Sequence, residues 1–183
     1  KSADATTTNV NVNGIKATNI FGGSNTSGTV TTSNVIFNSG TATNVYGGNN
    51  AGGTTTTSNV TINNGVIPNV YGGGNQAETN TSHVIINNGN ITKVFGGGNL
   101  ANTTTTFVTV NSGSIGECYG GGNQAGATTT TLTLKSGFIG SVFGGSNQSG
   151  NVTTSHINTT SSNANTTGIT YSVTTNIYDV TWQ

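Results

Sequence analysis

Residues 70–77 read VYGGGNQA, and near-copies of this phrase occur five more times along the 183-residue chain. An aromatic residue precedes the glycines in every copy, at Phe21, Tyr46, Tyr71, Phe95, Tyr119 and Phe143. The spacings between these aromatics are 25, 25, 24, 24 and 24 residues. A glycine-rich loop that cradles a phosphate would need one copy, followed by a helix. A fixed period instead indicates a repeat architecture in which each unit is one structural layer.

Aligning the chain at this period produces columns of nearly constant chemistry. Four columns are apolar, and their first members are Val10, Val12, Ala17 and Ile20. Two columns carry hydroxyl side chains. The first is threonine throughout and comprises Thr7, Thr32, Thr57, Thr81, Thr105, Thr129 and Thr154. The second comprises Thr8, Ser33, Ser58, Ser82, Thr106, Thr130 and Ser155. An asparagine column closes the phrase at Asn25, Asn50, Asn75, Asn99, Asn123 and Asn147.

Each repeat contains the pattern of two short strands. Residues 59–63 (NVTIN) alternate apolar and polar side chains, which is typical of a strand with one buried face. Turn sequences such as NNG follow, and a second strand such as IPNVY ends at the glycines. Asparagine and glycine in such a turn tolerate left-handed backbone conformations. We further expect each glycine pair to let the backbone turn sharply, and each asparagine of the phrase to bond to its counterpart in the next layer.

Two short strands cannot bury an apolar face alone, whereas stacked units form a continuous core. The sequence therefore predicts an all-β fold, a single parallel β-solenoid of about seven coils of 24–25 residues. The repeats would occupy residues 1–157, and a C-terminal β segment would occupy residues 158–183. We expect the apolar columns to point inward. In one coil these side chains are Val60, Ile62, Ile67 and Val70, with Ile86, Ile91 and Val94 directly above in the next.

The columns resemble those of right-handed parallel β-helices, over roughly residues 5–157. The sequence pattern VYGGGN…VTINNG is similar to repeats of bacterial surface and adhesin-like proteins. This resemblance is specific for architecture. It implies a secreted or cell-surface location, which the periodicity alone does not.

Composition disfavours several classes of function. The chain has four Lys, no Arg, two Asp and two Glu, against 38 Thr, 29 Asn and 29 Gly. Without a basic patch, nucleic-acid binding is not expected. No apolar run approaches the roughly 18 residues needed to span a bilayer. Cys118 is the single cysteine, so no intramolecular disulfide is possible. Because the chain contains no Met, we expect a removed initiator or a fragment.

The charged residues do not form a recognisable catalytic or metal-binding set. Glu78 and Glu117 occupy different parts of the coil, which disfavours a paired-carboxylate hydrolase. His83 and His156 share a column but lie three coils apart, about 14 Å at the strand spacing. We therefore expect a protein that is not an enzyme, with no catalytic residue, cofactor or metal.

Two surfaces remain as candidates for function. The aromatic column would form a six-rung ladder, either exposed to stack on sugar rings or buried beneath the glycine corner. The threonine column invites comparison with ice-binding solenoids, which present a flat Thr-X-Thr array. We expect its outward neighbour to lie two residues earlier, in the column Ala5, Val30, Thr55, Thr79, Thr103, Ala127 and Val152. That column holds threonine in only three of seven coils, so the match to an ice lattice is poor.

The C-terminal segment GITYSVTTNIYDVTWQ departs from the repeat and is rich in aromatics. Its alternating residues are Ile169, Tyr171, Val173, Tyr178, Val180 and Trp182. The segment would either cap the last coil or add strands to the open end of a neighbouring copy. The function we expect is that of a structural extracellular protein, a self-assembling subunit of a surface fibre or an adhesin stalk joined head to tail. The alternatives are an ice-binding solenoid and a glycan-binding adhesin module.

Overall fold

A computed structural model describes residues 4–159 and, in addition, the backbone of residues 170–171 and 177–182. This part of the chain consists of β-strands and turns and contains no helix that could cross a membrane. The strands are β1 Ala5–Phe21, β2 Thr29–Tyr46, β3 Thr54–Ile62, β4 Val66–Tyr71, β5 Glu78–Ile86, β6 Asn90–Phe95, β7 Thr103–Val110, β8 Ser114–Tyr119, β9 Ala127–Leu134, β10 Phe138–Phe143, β11 Val152–Thr159, β12 Thr170–Tyr171 and β13 Ile177–Trp182.

All strand pairings are parallel and connect equivalent strands of successive coils. The order is β12-β10-β8-β6-β4-β2-β3-β5-β7-β9-β11-β13, and β1 pairs with β2. In β1 and β2 a single long strand runs through both halves of the coil, whereas later coils divide into two strands at the turn. The predicted all-β parallel solenoid is confirmed.

The described residues form six complete coils, and β11 begins a further one, so the prediction of about seven is slightly too high. The repeat is lost after β11. In that incomplete coil the described residues that pair with β10 are Thr170 and Tyr171, through Ser141 and Val142.

The register between coils is the one that the columns predict. Thr57 pairs with Thr81, and this column continues through Thr105 and Thr129. Val60 pairs with Val84 in the same manner. Register is preserved because the change from 25 to 24 residues falls in the loop that precedes the threonine column. From β2 to β11 the side chains of the paired strands therefore lie beside their counterparts in the next coil.

The core is formed by the four apolar columns. Val60, Ile62, Ile67 and Val70 are fully buried, as predicted, and belong to one continuous cluster that runs along the stack. The first coil is less well covered, since β1 has a neighbouring strand on one side only within the described part of the chain. As a result Val10 and Ala17 are only partly buried.

Glycines serve two different purposes in each coil. At the turn between the two strands, Gly65, Gly89, Gly113 and Gly137 have positive φ angles of 102–129°, as the turn sequences predict. The backbone bends at the glycine pair after each aromatic residue, as predicted, although these glycines have no positive φ angle. A Cβ atom on Gly72 would lie 2.1 Å from the carbonyl oxygen of Gly96 in the next coil. Glycine is required there because successive backbones approach closely.

The C-terminal strands continue the stack in the same chain. β12 pairs with β10, and β13 pairs with β11 through contacts such as Ile157 with Val180. Tyr171, Tyr178, Val180 and Trp182 lie on these two strands, and Ile169 and Val173 lie outside the described residues.

Replacing Ile91 with Ala tests the assignment of the core. Ile91 is 1% exposed in the middle of the stack, so we expect the substitution to lower the free energy of unfolding by about 2–5 kcal/mol. Thr92→Ala is the matched control, because Thr92 is exposed on the same strand and its loss should change stability by less than about 0.5 kcal/mol. Urea denaturation followed by circular dichroism measures both. Equal effects would contradict the inward orientation of this column.

Candidate interaction surfaces

The six aromatic residues form a continuous stack. Neighbouring ring centroids lie 4.7–5.2 Å apart and neighbouring ring planes differ by 5–13°. The four central rings, those of Tyr46, Tyr71, Phe95 and Tyr119, are only 1–5% exposed. The structure thus places the ladder in a buried cluster beneath the glycine corner rather than on the surface, and the face of a sugar ring has no access to these four rings.

Burial of the ladder changes the acidity of its phenols. Loss of solvent raises the pKa of Tyr46, and burial together with the neighbouring Tyr46 raises the pKa of Tyr71 to about 12. Burial, assisted by the Glu117 carboxylate, also raises the pKa of Tyr119. The folded protein therefore retains neutral phenols at pH values where exposed tyrosines ionise.

The hydroxyl column explains why serine or threonine recurs beside the glycines. Ser33, Ser58, Ser82, Thr106 and Thr130 are fully buried. Each donates its hydroxyl proton to the carbonyl oxygen of the first glycine of the pair, as Ser82 does to Gly96 at 2.5 Å. This contact was not predicted, although the constant spacing of 14 residues between the two columns indicates it.

Asparagine amides form four hydrogen-bonded ladders along the solenoid axis. In each bond the Nδ2 atom of the later coil donates to the Oδ1 atom of the earlier coil, at 2.7–3.0 Å. The ladder predicted from the glycine-rich phrase, from Asn25 to Asn147, is confirmed. The other three begin at Asn9, Asn13 and Asn19. They run, respectively, along the strands of the first half of each coil (the first sheet), along the turn, and along the strands of the second half, such as β4, β6 and β8 (the second sheet).

The threonine column lies on a flat sheet whose outward side we call the threonine face. It consists of three columns. The first is the threonine column itself. The second is Asn9, Asn34, Asn59, His83, Phe107, Thr131 and His156. The third is Asn11, Ile36, Thr61, Ile85, Thr109, Thr133 and Asn158. The threonine face carries no Lys, Arg, Asp or Glu.

The column two residues before the threonines points inward, which corrects the expected orientation. Val30, Thr55, Thr79 and Thr103 are each no more than 1% exposed. The alternation fails because two successive residues, such as Thr31 and Thr32, both face outward near the start of the strand. The hydroxyls of Thr79 and Thr103 have no hydrogen-bond partner within the described residues.

Ionisable groups are sparse in the described part of the chain, and three of them meet at one carboxylate. Lys93 forms an ion pair with Glu117 at 2.8 Å, and the Tyr119 hydroxyl donates to the same carboxylate at 3.0 Å. The hydrogen bond from Lys93 is the main reason that the pKa of Glu117 is lowered. His83 stacks on Phe107 at 4.8 Å, and partial burial lowers its pKa. His156 lies three coils away in the same column.

Chemistry-bearing side chains do not cluster elsewhere in the described part of the chain. There, no group of three or more His, Cys, Asp and Glu is arranged to hold a metal ion. Cys118 is completely buried in the core, and this burial raises the pKa of its thiol to about 12.

A shallow polar groove of about 500 Å³ runs beside the bend that precedes the threonine face. Four successive coils contribute backbone and small polar side chains, among them Asn102, Thr104, Thr128 and Thr153. Its residues include one carboxylate, that of Glu78, and no aromatic ring. The groove therefore lacks the ring platform that the glycan-binding alternative requires.

The architecture defines the class of the protein, a parallel β-solenoid with repeats of 24–25 residues. No protein-family model, no curated protein and no solved structure matches the chain. The class is therefore established by the molecule's own register and core, and function has to be argued from its surfaces.

The buried tyrosines predict a specific response to alkaline pH. A phenol whose folded pKa is raised contributes stability that is present below its unfolded pKa of about 10 and is lost as pH rises through the folded pKa, about 12 for Tyr71. We expect unfolding between pH 10 and 12 to release about one proton per buried tyrosine.

The control for this titration is the triple variant Tyr46→Phe, Tyr71→Phe and Tyr119→Phe, since Phe95 already occupies the same stack. Denaturation across this pH range, with tyrosinate absorbance recorded at 295 nm, compares the two proteins. An equal loss of stability in both would show that these phenols are not the groups responsible.

Proposed function

We propose that this protein is a structural, non-enzymatic component of a secreted or cell-surface fibre, or of an adhesin stalk. The observation that carries the proposal is the alignment of its polar and aromatic contacts with the solenoid axis. Asparagine ladders and the aromatic stack run from coil to coil in the same direction as the backbone hydrogen bonds between strands. A surface location is further supported by the resemblance of the repeats to those of bacterial surface proteins.

Axial contacts make the separation of any two coils cooperative. Between the coil of β3–β4 and the coil of β5–β6, two parallel strand pairings act together with two asparagine bonds and one ring stack. A tensile load along the axis must break these contacts at the same time, because all of them share one register. A stalk or fibre needs this property, whereas a binding pocket does not.

The proposed assembly is head to tail. Within the described chain, β1 pairs with β2 along one edge, so its other edge presents backbone N–H and C=O groups. At the opposite end β13 pairs with β11 along one edge only. The free edges of β1 in one copy and β13 in another can join by β-augmentation, because the strands run in the same direction. A contact between two different ends leaves the other ends free, so it propagates into a filament instead of closing into a dimer.

A truncation that ends at Gly168 tests the connection, because it removes β12 and β13 while leaving the six complete coils. We expect the full chain to form filaments, and the truncated chain to stay as short particles, in sedimentation velocity and negative-stain electron microscopy. The circular dichroism spectrum should retain its β content in both. Equal filament formation by both proteins would contradict the assigned role of the C-terminal segment.

Ice binding is the second candidate, and the observation that favours it is the unbroken threonine column of seven coils. The residue immediately before that column also faces outward, but the outward position that a Thr-X-Thr array requires lies two residues later. In that position Thr131 is the one threonine, and the ring of Phe107 protrudes from the sheet. A repeated Thr-X-Thr array is therefore confined to a single coil.

Thermal-hysteresis measurement at micromolar protein separates this candidate from the structural role. We expect no strong depression of the freezing point, because the second column does not repeat one side chain. A clear hysteresis that is lost on replacing Thr57, Thr81 and Thr105 with bulkier residues, but kept on replacing Thr92, would instead identify an ice-binding surface.

A further inference from the structure

The threonine face has a composition unusual for an exposed sheet. The second sheet carries Lys16, Lys93 and Glu117 on its outward side, whereas the threonine face has no Lys, Arg, Asp or Glu at any of its positions. Charged side chains on exposed strands are one of the means by which natural β-proteins prevent association with other sheets. Such charges are present on the outward side of the second sheet and absent from the threonine face.

We propose that the threonine face is an interface with a second copy of the same chain, so that two solenoids pack side by side. This inference rests on the structural role proposed above and specifies a lateral contact that the head-to-tail contact does not provide. The occupant is a second copy because both partners then share one axial repeat. The side chains of successive coils on the two threonine faces can interdigitate along the whole solenoid, as they do in packed sheets with identical strand spacing.

The size of the face fits such a contact. Seven coils at about 4.8 Å and three outward columns at about 7 Å give a face of roughly 700 Å² per copy. Pairing would bury about 1,400 Å² in total, within the range of roughly 1,200–2,000 Å² of stable protein interfaces. Contact with a second copy thus covers the face without requiring any other partner.

The chemistry of the face also favours burial. Three large apolar side chains are exposed by 37–38%, those of Ile36, Ile85 and Phe107. Removing their apolar surface from water lowers the free energy. The amides of Asn34 and Asn59 are already joined in a ladder, so burial leaves fewer polar groups to satisfy. Threonine hydroxyls can donate and accept across the interface. No ionised Lys, Arg, Asp or Glu has to be desolvated.

The experiment uses the full chain and a pair of charge variants. Phe107→Lys with Thr131→Lys places two charges on adjacent coils of the threonine face. Asn90→Lys with Ser114→Lys places the same two charges on adjacent coils of the second sheet and is the matched control. Sedimentation equilibrium measures association, electron microscopy measures particle width, and circular dichroism confirms folding.

We expect the unmodified chain and the control to associate laterally, and the threonine-face variant to associate at least tenfold more weakly. A threonine-face variant that associates as tightly as the control would overturn the inference. So would an unmodified chain that shows single-solenoid width at all concentrations, or a single solenoid that produces thermal hysteresis, since ice would then be the occupant.

Cross-linking gives a second readout that does not depend on weakening the fold. His83 lies in the central coil of the central column, so it faces its own counterpart whether the two copies pack parallel or antiparallel. His83→Cys should form a covalent dimer on mild oxidation, and Ser114→Cys on the second sheet should not, while the native Cys118 is buried in both. Failure of His83→Cys to cross-link more than Ser114→Cys counts against the inference. Long filaments of single width would refute the lateral contact and leave the proposed fibre intact. Short paired particles would refute the head-to-tail connection and leave the lateral contact intact.

Discussion

The interaction on which the structure depends is the parallel backbone hydrogen bonding between one coil and the next, held in register over the whole repeat. This register places each side chain about 4.8 Å from its counterpart. Identical residues are favourable at that distance when they can satisfy one another. Asparagine amides join as donor and acceptor, aromatic rings stack, and branched apolar side chains fill a continuous core. The chain repeats its sequence because each coil presents the same environment to the next.

Much of this follows from sequence, because a constant period fixes which residues share a column. Val60 and Val84, or Ile67 and Ile91, could be paired from their spacing alone, and alternation indicated that they point inward. The ladder from Asn25 to Asn147 was predictable on the same basis. These predictions succeed since they need only the register and the chemistry of one residue type.

Predictions that required the path of the backbone within a coil were less successful. The alternation rule placed Val30 and Thr55 outward, but two successive outward residues, such as Thr31 and Thr32, shift the phase, and Val30 and Thr55 are buried. At the glycine pair the sequence predicted the bend, but not the close approach of the next coil, seen at Gly72 and Gly96. The bond from Ser82 to a glycine carbonyl joins residues 14 apart and depends on the width of the coil, which the period does not determine.

Both proposed contacts depend on the same register. The head-to-tail contact would continue the backbone hydrogen bonding from one copy to the next, and the side-by-side contact would pair two threonine faces that have the same axial spacing. The most direct test of this register is a pair of spin-label distances in a Cys118→Val background, where Val is the residue of both neighbouring coils. Labels at Thr56 and Thr128 span three coils, and labels at Thr31 and Thr153 span five. Stacking at a constant spacing predicts separations of about 14 Å and 24 Å, in proportion to the number of coils. Separations that do not increase with coil number would contradict the stacked register and every interaction derived from it.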